Sequence, residues 1–310
     1  MRTIRSLSEL RAELAPARRE RRSIGLVPTM GAFHDGHLSL MRRARAETDV
    51  VVVWLFVNPA QFNDSHDLAA YPRDELRDAE LAAAEGADYL FAPTAQVVYP
   101  PGFATTVSVA GLTDKLEGAH RGRAHFDGVT TVVTKMLNMV APDVAYFGQK
   151  DAQQAIVVRR LVRDLDLPVR IEVSPTVRDP DGLALSSRNV LLGPTDRERA
   201  AALHRALVRV REAVQAGGHD PAGARQAAFA VLREAGIEPD YLELADADTL
   251  EPVDRISGDV LALVAARVGP VRLIDNELIH ARPRDIEAAV NNTPEIDDEV
   301  ATPPGAPTTA

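Results

Sequence analysis

Two histidines three residues apart, His34 and His37, stand in the loop Pro28–His37 (PTMGAFHDGH), which follows a short apolar run. Imidazoles can donate hydrogen bonds, and a helix that begins here offers free backbone N–H groups and the positive end of its dipole. Such a loop can bind a triphosphate and stabilise the charge on a leaving pyrophosphate. The spacing leaves open a partial metal site or two surface residues. Zinc is less favoured, because no third ligand follows at a typical spacing.

Two further segments carry residues suited to phosphate. In Phe147–Asp151 (FGQKD), Lys150 can neutralise phosphate charge, and Asp151 can either accept ribose hydroxyls or cap the next helix. In the stretch DPDGLALSSRN, the hydroxyls and guanidinium of Ser186–Arg188 are typical of a mobile phosphate clamp, although alone they also fit an ordinary loop.

Neutral amides form a third group of candidates. Those of Asn58 and Gln61 can pair with a hydroxyl or a carboxylate, but a buried turn would use Asn58-Pro59 equally well, and Gln153-Gln154 is ambiguous in the same way. The sequence has no GxGxxG after a strand, no GxxxxGK[ST] and no GxSxG. These absences count against a dinucleotide oxidoreductase, a P-loop kinase and an α/β-hydrolase.

The composition limits the class of protein. The 310 residues carry a net charge of −10, which argues against a nucleic-acid-binding surface, and the lack of cysteine excludes disulfides, thiol catalysis and thiolate metal sites. The longest apolar run, Val50–Val57, is much shorter than the roughly 20 residues that cross a membrane. The charged N-terminus does not resemble a signal peptide, so we expect a cytoplasmic protein without a membrane partner.

Strands and helices alternate in the first part of the chain. The runs Ile24–Thr29 and Val50–Val57 are continuously apolar and β-branched, which is typical of strands buried on both faces of a parallel sheet. The pattern predicts a doubly wound, Rossmann-like α/β sheet, which binds ligands at the carboxyl ends of its strands. The other predicted elements are helices at about Ser6–Arg18, Gly36–Thr48, Asp74–Glu85, Val129–Val140 and Gln153–Asp164, and strands at Asp88–Ala92, Val144–Phe147 and Val169–Val173.

The pattern changes at about Val177. Two alanine-rich helices, Thr195–Gln215 and Pro221–Glu234, precede short predicted strands at Asp240–Leu244, Val260–Ala265 and Val271–Asp275. We therefore predict a Rossmann-like domain over 1–176, a smaller α+β lid domain over 177–284 and a disordered, acidic and proline-rich tail over 285–310. The ligand pocket is expected between the two domains.

Taken together, the motifs resemble those of the pantothenate synthetases. The resemblance extends from about Met1 to Arg284, and the H-x-G-H and S-S-R pieces alone mark a wider superfamily of nucleotidyl-transferring proteins. The motifs follow in the family's order: Pro28–His37, FVNPAQF at Phe56–Phe62, YPR at Tyr71–Arg73, HFDGV at His125–Val129, FGQKDAQQ at Phe147–Gln154 and DGLALSSRN at Asp181–Asn189.

The resemblance implies a ligase that works in two half-reactions. ATP and pantoate would give pantoyl-adenylate and pyrophosphate with Mg²⁺, and the amine of β-alanine would then displace AMP to form pantothenate. It also implies a homodimer formed through the N-terminal domain.

The resemblance further assigns site residues by their motif positions. Those implied to contact phosphates and stabilise the transition state are His34, His37, Lys150, Ser186, Ser187 and Arg188. Those implied to bind other parts of ATP are Pro28, Met30, Gly148, Asp151 and Val177. Those implied to bind pantoate are Met30, Asn58, Gln61 and Gln154, and Asp78 matches a position that helps to hold magnesium.

The chain departs from the family pattern at two places. Gln149 stands where an acidic residue is usual, and Glu117–Phe126 (EGAHRGRAHF) lacks a proline and has one extra residue, so that either Arg121 or Arg123 can replace the family arginine. Two other functions compete with that of the ligase. One is another H-x-G-H nucleotidyltransferase that couples ATP or CTP to a phosphate-bearing substrate, and the other is a nucleotide-binding regulator without catalysis.

Overall fold

A computed structural model describes residues 1–281 of the chain, so the predicted tail over 285–310 and the domain end at 284 lie outside the described residues. The strands are β1 Arg2–Ile4, β2 Ile24–Thr29, β3 Val50–Leu55, β4 Tyr89–Phe91, β5 Val144–Gly148, β6 Arg170–Ser174, β7 Pro239–Asp246, β8 Gly258–Val268 and β9 Val271–Ala281. The helices are α1 Leu7–Arg19, α2 Asp35–Glu47, α3 Ser65–Ala70, α4 Glu75–Ala84, α5 Ala95–Val98, α6 Glu117–Arg121, α7 Arg123–Val140, α8 Ala152–Asp164, α9 Pro194–Ala200, α10 Ala202–Gln215 and α11 Pro221–Glu234. Short 3₁₀ turns lie at Pro59–Gln61, Gln149–Asp151 and Asn189–Leu191.

The first six strands form one parallel sheet in the order β1-β4-β3-β2-β5-β6. From β2 the chain moves outward through β3 to β4 and then returns to place β5 on the other side of β2. The topological switch therefore lies between β2 and β5, whose carboxyl ends leave a crevice where α/β sheets bind ligands. The predicted Rossmann-like sheet is confirmed.

Helices cover both faces of this sheet, which explains its unbroken apolar strands. On one face, α1 and α7 bury side chains such as Leu14 and Met136 against β2 and β3. On the other face, Met41 of α2 and Ala82 of α4 pack against Val51 and Val53. With both faces covered, apolar residues at consecutive strand positions all reach a core.

The last three strands form a separate antiparallel sheet in the order β7-β8-β9, covered by α10 and α11. This sheet also contacts the first one through apolar side chains. Leu261 and Leu263 of β8 share a buried cluster with Phe126 of α7 and Ala152 and Val157 of α8. The C-terminal unit, which we define as residues 177–281, is thus seated on the helices that flank β5.

Several predicted boundaries were wrong. The single helix predicted over Thr195–Gln215 is broken at Ala201 into α9 and α10, and the break lets α9 contact β8 while α10 packs on β8 and β9. Helix α7 begins at Arg123 rather than Val129, because the polar residues of the HFDG motif already form its first turns. The edge strand β1 was missed, since three residues are too few to show a periodic pattern.

Within residues 1–281, no helix is both long and apolar enough to cross a membrane.

Candidate active site

A cavity of about 280 Å³ lies at the carboxyl ends of β2 and β5, at the topological switch, and is closed on one side by the C-terminal unit. It brings together all the site residues predicted from the sequence except Asp78. Those that line it are Pro28, Met30, His34, His37, Asn58, Gln61, Gly148, Lys150, Asp151, Gln154, Val177, Ser186, Ser187 and Arg188.

The loop between β2 and α2 presents the two histidines. Gly31 and Ala32 both have positive φ angles, of 87° and 53°, which turn the chain sharply out of β2. The Nδ1 atom of His34 accepts a hydrogen bond from the Gly36 N–H at 3.2 Å, and that of His37 accepts one from the His34 N–H at 3.4 Å. With Nδ1 as an acceptor, a neutral imidazole carries its proton on Nε2.

Both imidazoles are uncharged at neutral pH. Burial, helped by the charge of Lys150, lowers the pKa of His34 from 6.5 to about 4. Burial and the neighbouring ring of His34, whose centroid is 4.2 Å away, lower the pKa of His37 to about 3. Two neutral Nε2–H groups are hydrogen-bond donors that need no proton from solvent.

Lys150 and Asp151 lie in the 3₁₀ turn after β5. The Lys150 Nζ atom is 3.1 Å from the Asp151 carboxylate. Desolvation raises the pKa of Asp151, but the adjacent Lys150 ammonium together with Arg121 and Arg188 more than offsets this, so the pKa lies below its usual range. Asp151 stands at the N-cap position of α8, yet its side chain makes no capping hydrogen bond. The position agrees with the helix-cap alternative, but the carboxylate makes no cap bond and faces the cavity instead.

The serine–arginine loop comes from the C-terminal unit and contacts the N-terminal one. The Ser187 hydroxyl donates to the carbonyl of Ala32 at 3.2 Å, in the histidine loop. The Arg188 guanidinium lies 3.2 Å from the Asp67 carboxylate and 5.7 Å from the centre of the Tyr71 ring. A guanidinium and hydroxyls thus line the same cavity as Lys150, as a phosphate clamp requires.

Asn58 braces the turn after β3. Its amide donates to Gln61 Oε1 at 3.0 Å and to the carbonyl of Gly128 at 3.1 Å. Its oxygen accepts from the Ala60 N–H at 3.2 Å and from the Tyr99 hydroxyl at 2.8 Å. Both donors and both acceptor positions are in use, and the residue is 1% exposed. These contacts favour the buried-turn alternative, in which Asn58 orients Gln61.

The remaining amides and an apolar wall form one side of the cavity. Gln61 lies there with its Nε2 atom 3.1 Å from the Met30 sulfur. Gln153 is buried and bonded to residues 112–117, whereas Gln154 is only partly buried. Side chains of α7 complete this side of the cavity with aliphatic surface, namely Val129, Val132, Val133 and Met136.

The sequence left open whether Arg121 or Arg123 replaces the family arginine, and the structure distinguishes the two. Arg121 lines the cavity, and its Nε atom donates to the Glu117 carboxylate at 2.9 Å. The side chain of Arg123 is 63% exposed and faces Asp127 at 3.8 Å. Arg121 is therefore the arginine placed to meet a ligand.

A buried ionic network behind Arg121 was missed by sequence reasoning. Glu117, 6% exposed, accepts hydrogen bonds from Arg272 of β9 at 2.8 Å and from the Tyr241 hydroxyl of β7 at 2.9 Å. Burial raises the pKa of Glu117, but Arg272 and Arg121 outweigh it and hold the pKa at about 2. Arg272 lies 155 positions downstream, so no local pattern predicts this contact.

Asp78 lies behind the histidine loop and does not line the cavity. Its two carboxylate oxygens accept hydrogen bonds from the backbone N–H groups of Ala32 at 2.9 Å and Phe33 at 2.8 Å, and the residue is 2% exposed. These contacts make Asp78 a brace for the turn and do not favour its predicted role in holding magnesium. In the described part of the chain, no three acidic or histidine side chains are grouped to hold a metal.

Comparison with known proteins agrees with this geometry. The model of the pantoate–β-alanine ligase family matches residues 2–278. A pantothenate synthetase from Moorella thermoacetica is 50% identical over 283 residues, covering 90% of this chain and 99% of that protein. One from Cereibacter sphaeroides is 53% identical over 274 residues, covering 88% and 98%.

Solved structures give the same result. A pantothenate synthetase from Thermus thermophilus superposes with a TM-score of 0.86 at 48% identity, covering 90% of this chain and all of that one. A pantoate–β-alanine ligase from Francisella tularensis, in complex with β-γ ATP and β-alanine, gives a TM-score of 0.75 at 33% identity, covering 90% and 97%. The resemblance drawn from the motifs is confirmed: the chain belongs to the pantoate–β-alanine ligase family.

Proposed function

We propose that this enzyme condenses pantoate with β-alanine at the expense of ATP, through a pantoyl-adenylate, and releases AMP and pyrophosphate. The observation that carries the proposal is the cavity at the switch between β2 and β5. It gathers phosphate-binding side chains from both halves of the chain next to a wall of neutral amides and aliphatic groups.

In the first half-reaction, a carboxylate oxygen of pantoate attacks the α-phosphorus of ATP, and the bond from that phosphorus to the leaving pyrophosphate breaks. A carboxylate needs this activation because it is a poor electrophile. The protein supplies position and charge rather than a covalent nucleophile. The neutral Nε2–H groups and the serine hydroxyls donate to phosphate oxygens, and the cations balance the charge on pyrophosphate; the residues in these roles are His34, His37, Lys150, Ser186, Ser187 and Arg188.

Pantoate suits the amide side of the cavity. Its two hydroxyls pair with Gln61 and Gln154, while its two methyl groups lie on the aliphatic surface of α7, next to Met30. The adenosine part lies along the carboxyl end of β5, where Gly148 leaves space and Asp151 accepts ribose hydroxyls; Pro28 and Val177 complete that side.

Magnesium fits this site as a companion of the nucleotide. Mg²⁺ in ATP-dependent enzymes is usually held by one or two carboxylates and by the substrate phosphates, not by an all-protein cage. Among the described residues, three carboxylates line the cavity: Glu117 and Asp275 are paired with arginines, and Asp151 is assigned to the ribose, so the ATP phosphates and water would supply most of the magnesium ligands. When bound, Mg²⁺ would neutralise part of the triphosphate charge.

In the second half-reaction, the β-alanine amine attacks the acyl carbon, the bond to the AMP oxygen breaks, and the amine loses a proton. The adenylate must be kept from water, since its hydrolysis wastes ATP. Closure of the cavity by the C-terminal unit serves this purpose.

The rival nucleotidyltransferase would couple ATP or CTP to a second substrate that carries a phosphate. It would need cations where that second substrate binds. The side formed by Gln61, Gln154 and α7 offers amides and aliphatic groups instead. A branched hydroxy acid fits that surface better than a phosphate does.

The testing experiment is pyrophosphate release by the purified protein with Mg-ATP and pantoate, with and without β-alanine. We expect release that requires pantoate and sustained turnover once β-alanine is added. Release supported by CTP and a phosphorylated substrate, but not by pantoate, would overturn the proposal.

Three features predicted from the sequence complete the proposal. They are a division into domains at residues 176 and 177, a homodimer formed through the N-terminal domain, and a cytoplasmic location. Sedimentation of the purified protein tests the dimer.

A further inference from the structure

The turn that carries Lys150 is held by a side chain from the C-terminal unit. Asn276 of β9 is 3% exposed and lines the cavity. Its Nδ2 atom donates to the backbone carbonyls of Gln149 at 2.9 Å and Lys150 at 2.8 Å. Its Oδ1 atom accepts from Gln149 Nε2 at 3.0 Å. One buried amide thus makes three hydrogen bonds to two consecutive residues.

These partners fix the orientation of the Asn276 amide. The two backbone carbonyls can accept hydrogen bonds only from the nitrogen of the Asn276 amide. The oxygen of that amide is therefore the atom that accepts the hydrogen bond from the Gln149 side chain. An ionised acidic residue at position 149 would have no donor for that oxygen, so Gln149 and Asn276 form a matched pair in this chain although they lie 127 positions apart.

The neighbouring residue keeps this part of β9 in place. Asp275 is 3% exposed, and its carboxylate accepts hydrogen bonds from both terminal guanidinium nitrogens of Arg178, at 2.6 and 2.9 Å. It also accepts a hydrogen bond from the Asn276 N–H at 2.8 Å. These contacts consequently hold the backbone of Asn276 in place. Side chains locked by such second contacts hold a site more precisely than mobile ones.

A lysine ammonium sits on a flexible stem of four carbons, so its average position depends on where its backbone is fixed. The two hydrogen bonds that Asn276 Nδ2 donates fix that backbone at the carbonyls on either side of the Lys150 Cα atom. We propose that Asn276 is a positioning residue for Lys150, so that phosphate binding in the N-terminal unit depends on a strand of the C-terminal unit. This inference rests on the proposed function only in assigning ATP phosphate to Lys150.

The experiment is a double-mutant cycle with Asn276→Ala and Lys150→Ala. Two quantities are measured: the Kd of a β,γ-non-hydrolysable ATP analogue, and the kcat and KM of pantoate-dependent pyrophosphate release. Asn276→Ala should weaken analogue binding and lower kcat by roughly 10-fold or more, the scale of a small misplacement in an active site. The KM for pantoate should stay within about two-fold, because α7 and Gln61 are untouched. In the Lys150→Ala background, Asn276→Ala should cause no further loss.

Three other variants sharpen the result. Asn276→Asp keeps the volume but places oxygens opposite two carbonyls, so it should lose at least as much as Asn276→Ala. Gln149→Ala leaves the two backbone hydrogen bonds and should lose less, and it serves the test if changes at Asn276 prevent folding. Asn138→Ala is the matched control: Asn138 is exposed on α7, donates to the Thr134 carbonyl at 2.8 Å and should bind the analogue normally.

Equal losses from Asn276→Ala in both backgrounds would overturn the inference, because Asn276 would then merely hold the C-terminal unit in place. Unchanged binding and kcat in Asn276→Ala would also overturn it. Normal analogue binding by Lys150→Ala would instead remove Lys150 from the phosphate site, and pantoate-independent pyrophosphate release by the parent protein would count only against the proposed function.

Discussion

The histidine loop and the lysine turn lie on neighbouring strands and face the same cavity, but they are held in different ways. His34 and His37 accept hydrogen bonds from backbone groups within their own loop, and the loop is braced by Asp78, 46 positions away in the same unit. Lys150 sits on a turn whose carbonyls are held by Asn276, 126 and 127 positions away in the other unit. The imidazoles of the site are thus braced mainly within the N-terminal unit, with one hydrogen bond from Ser187 to Ala32 of their loop, whereas the turn of Lys150 is held by the C-terminal unit.

Arg121 follows the same rule as Lys150. Its partner Glu117 is itself held by Arg272 and Tyr241 of the second sheet. A cation is costly to bury without a partner, so a guanidinium in a closed cavity needs a carboxylate that is fixed in turn. The comparison shows that the C-terminal unit is part of the site and does more than cover it.

The largest expected effect is on stability, from Glu117→Gln. The substitution leaves Arg121 facing an amide that cannot balance it and leaves Arg272 with Asp240 alone, at 2.7 Å, so the cost should lie at the lower end of the about 3–5 kcal/mol for breaking a buried ion pair. Denaturant unfolding measures the free energy. The control is Glu251→Gln, whose carboxylate is 66% exposed beside Lys115 and should change it by less than about 1 kcal/mol. Equal effects of the two variants would show that the second sheet is not held through Glu117.

The next effect is on catalysis. His37→Ala and Lys150→Ala should each lower pantoate-dependent pyrophosphate release by at least about 10²-fold, the scale of one preorganised electrostatic contact. His280→Ala, at a site 71% exposed on β9, is the matched control and should remain active. Near-normal release by both active-site variants would remove these residues from the mechanism.

A smaller effect is expected from Asp78→Asn, which weakens the local brace. An amide offers one acceptor where the carboxylate offers two, so one of the N–H groups of Ala32 and Phe33 loses its partner at a cost of about 1–3 kcal/mol. The Mg²⁺ concentration for half-maximal pyrophosphate release should not change. A large increase in that concentration would restore Asp78 to the metal role implied by the resemblance.

Near neutral pH, the smallest expected effect is that of a change in pH on the two histidines of the free protein, which titrate well below that range. Their folded pKa values of about 4 and 3 lie below the ordinary value of 6.5, so the unfolded chain binds more protons between these values. Stability should therefore fall as pH drops from 6.5 towards 4, and the contribution of these groups should be constant above 6.5. NMR titration of the imidazoles should show no protonation between about pH 6 and 8, and a midpoint near 6.5 would contradict their burial.

Much of the site was predictable because it is written in short motifs. Pro28–His37 and Phe147–Gln154 each follow a buried strand, and parallel strands bring their carboxyl ends to one edge, so the motifs had to meet. The fold class could also be predicted, because the alternation of apolar runs and predicted helices is a local pattern of residue types. Single residues within a motif were less secure: Asn58 proved to be a brace of the turn, and Asp78 a brace of the loop.

The sequence by itself determined the alternation of buried strands and helices, the absence of thiol chemistry and the motifs whose residues line the cavity, since these depend on residue type and on spacing of a few positions. Only the tertiary structure decided which arginine enters the cavity, and it placed Arg272, Tyr241 and Asn276 behind Arg121 and Lys150. These contacts join residues more than 120 positions apart. No local periodicity encodes them, because they exist only once the second sheet has packed on α7 and α8.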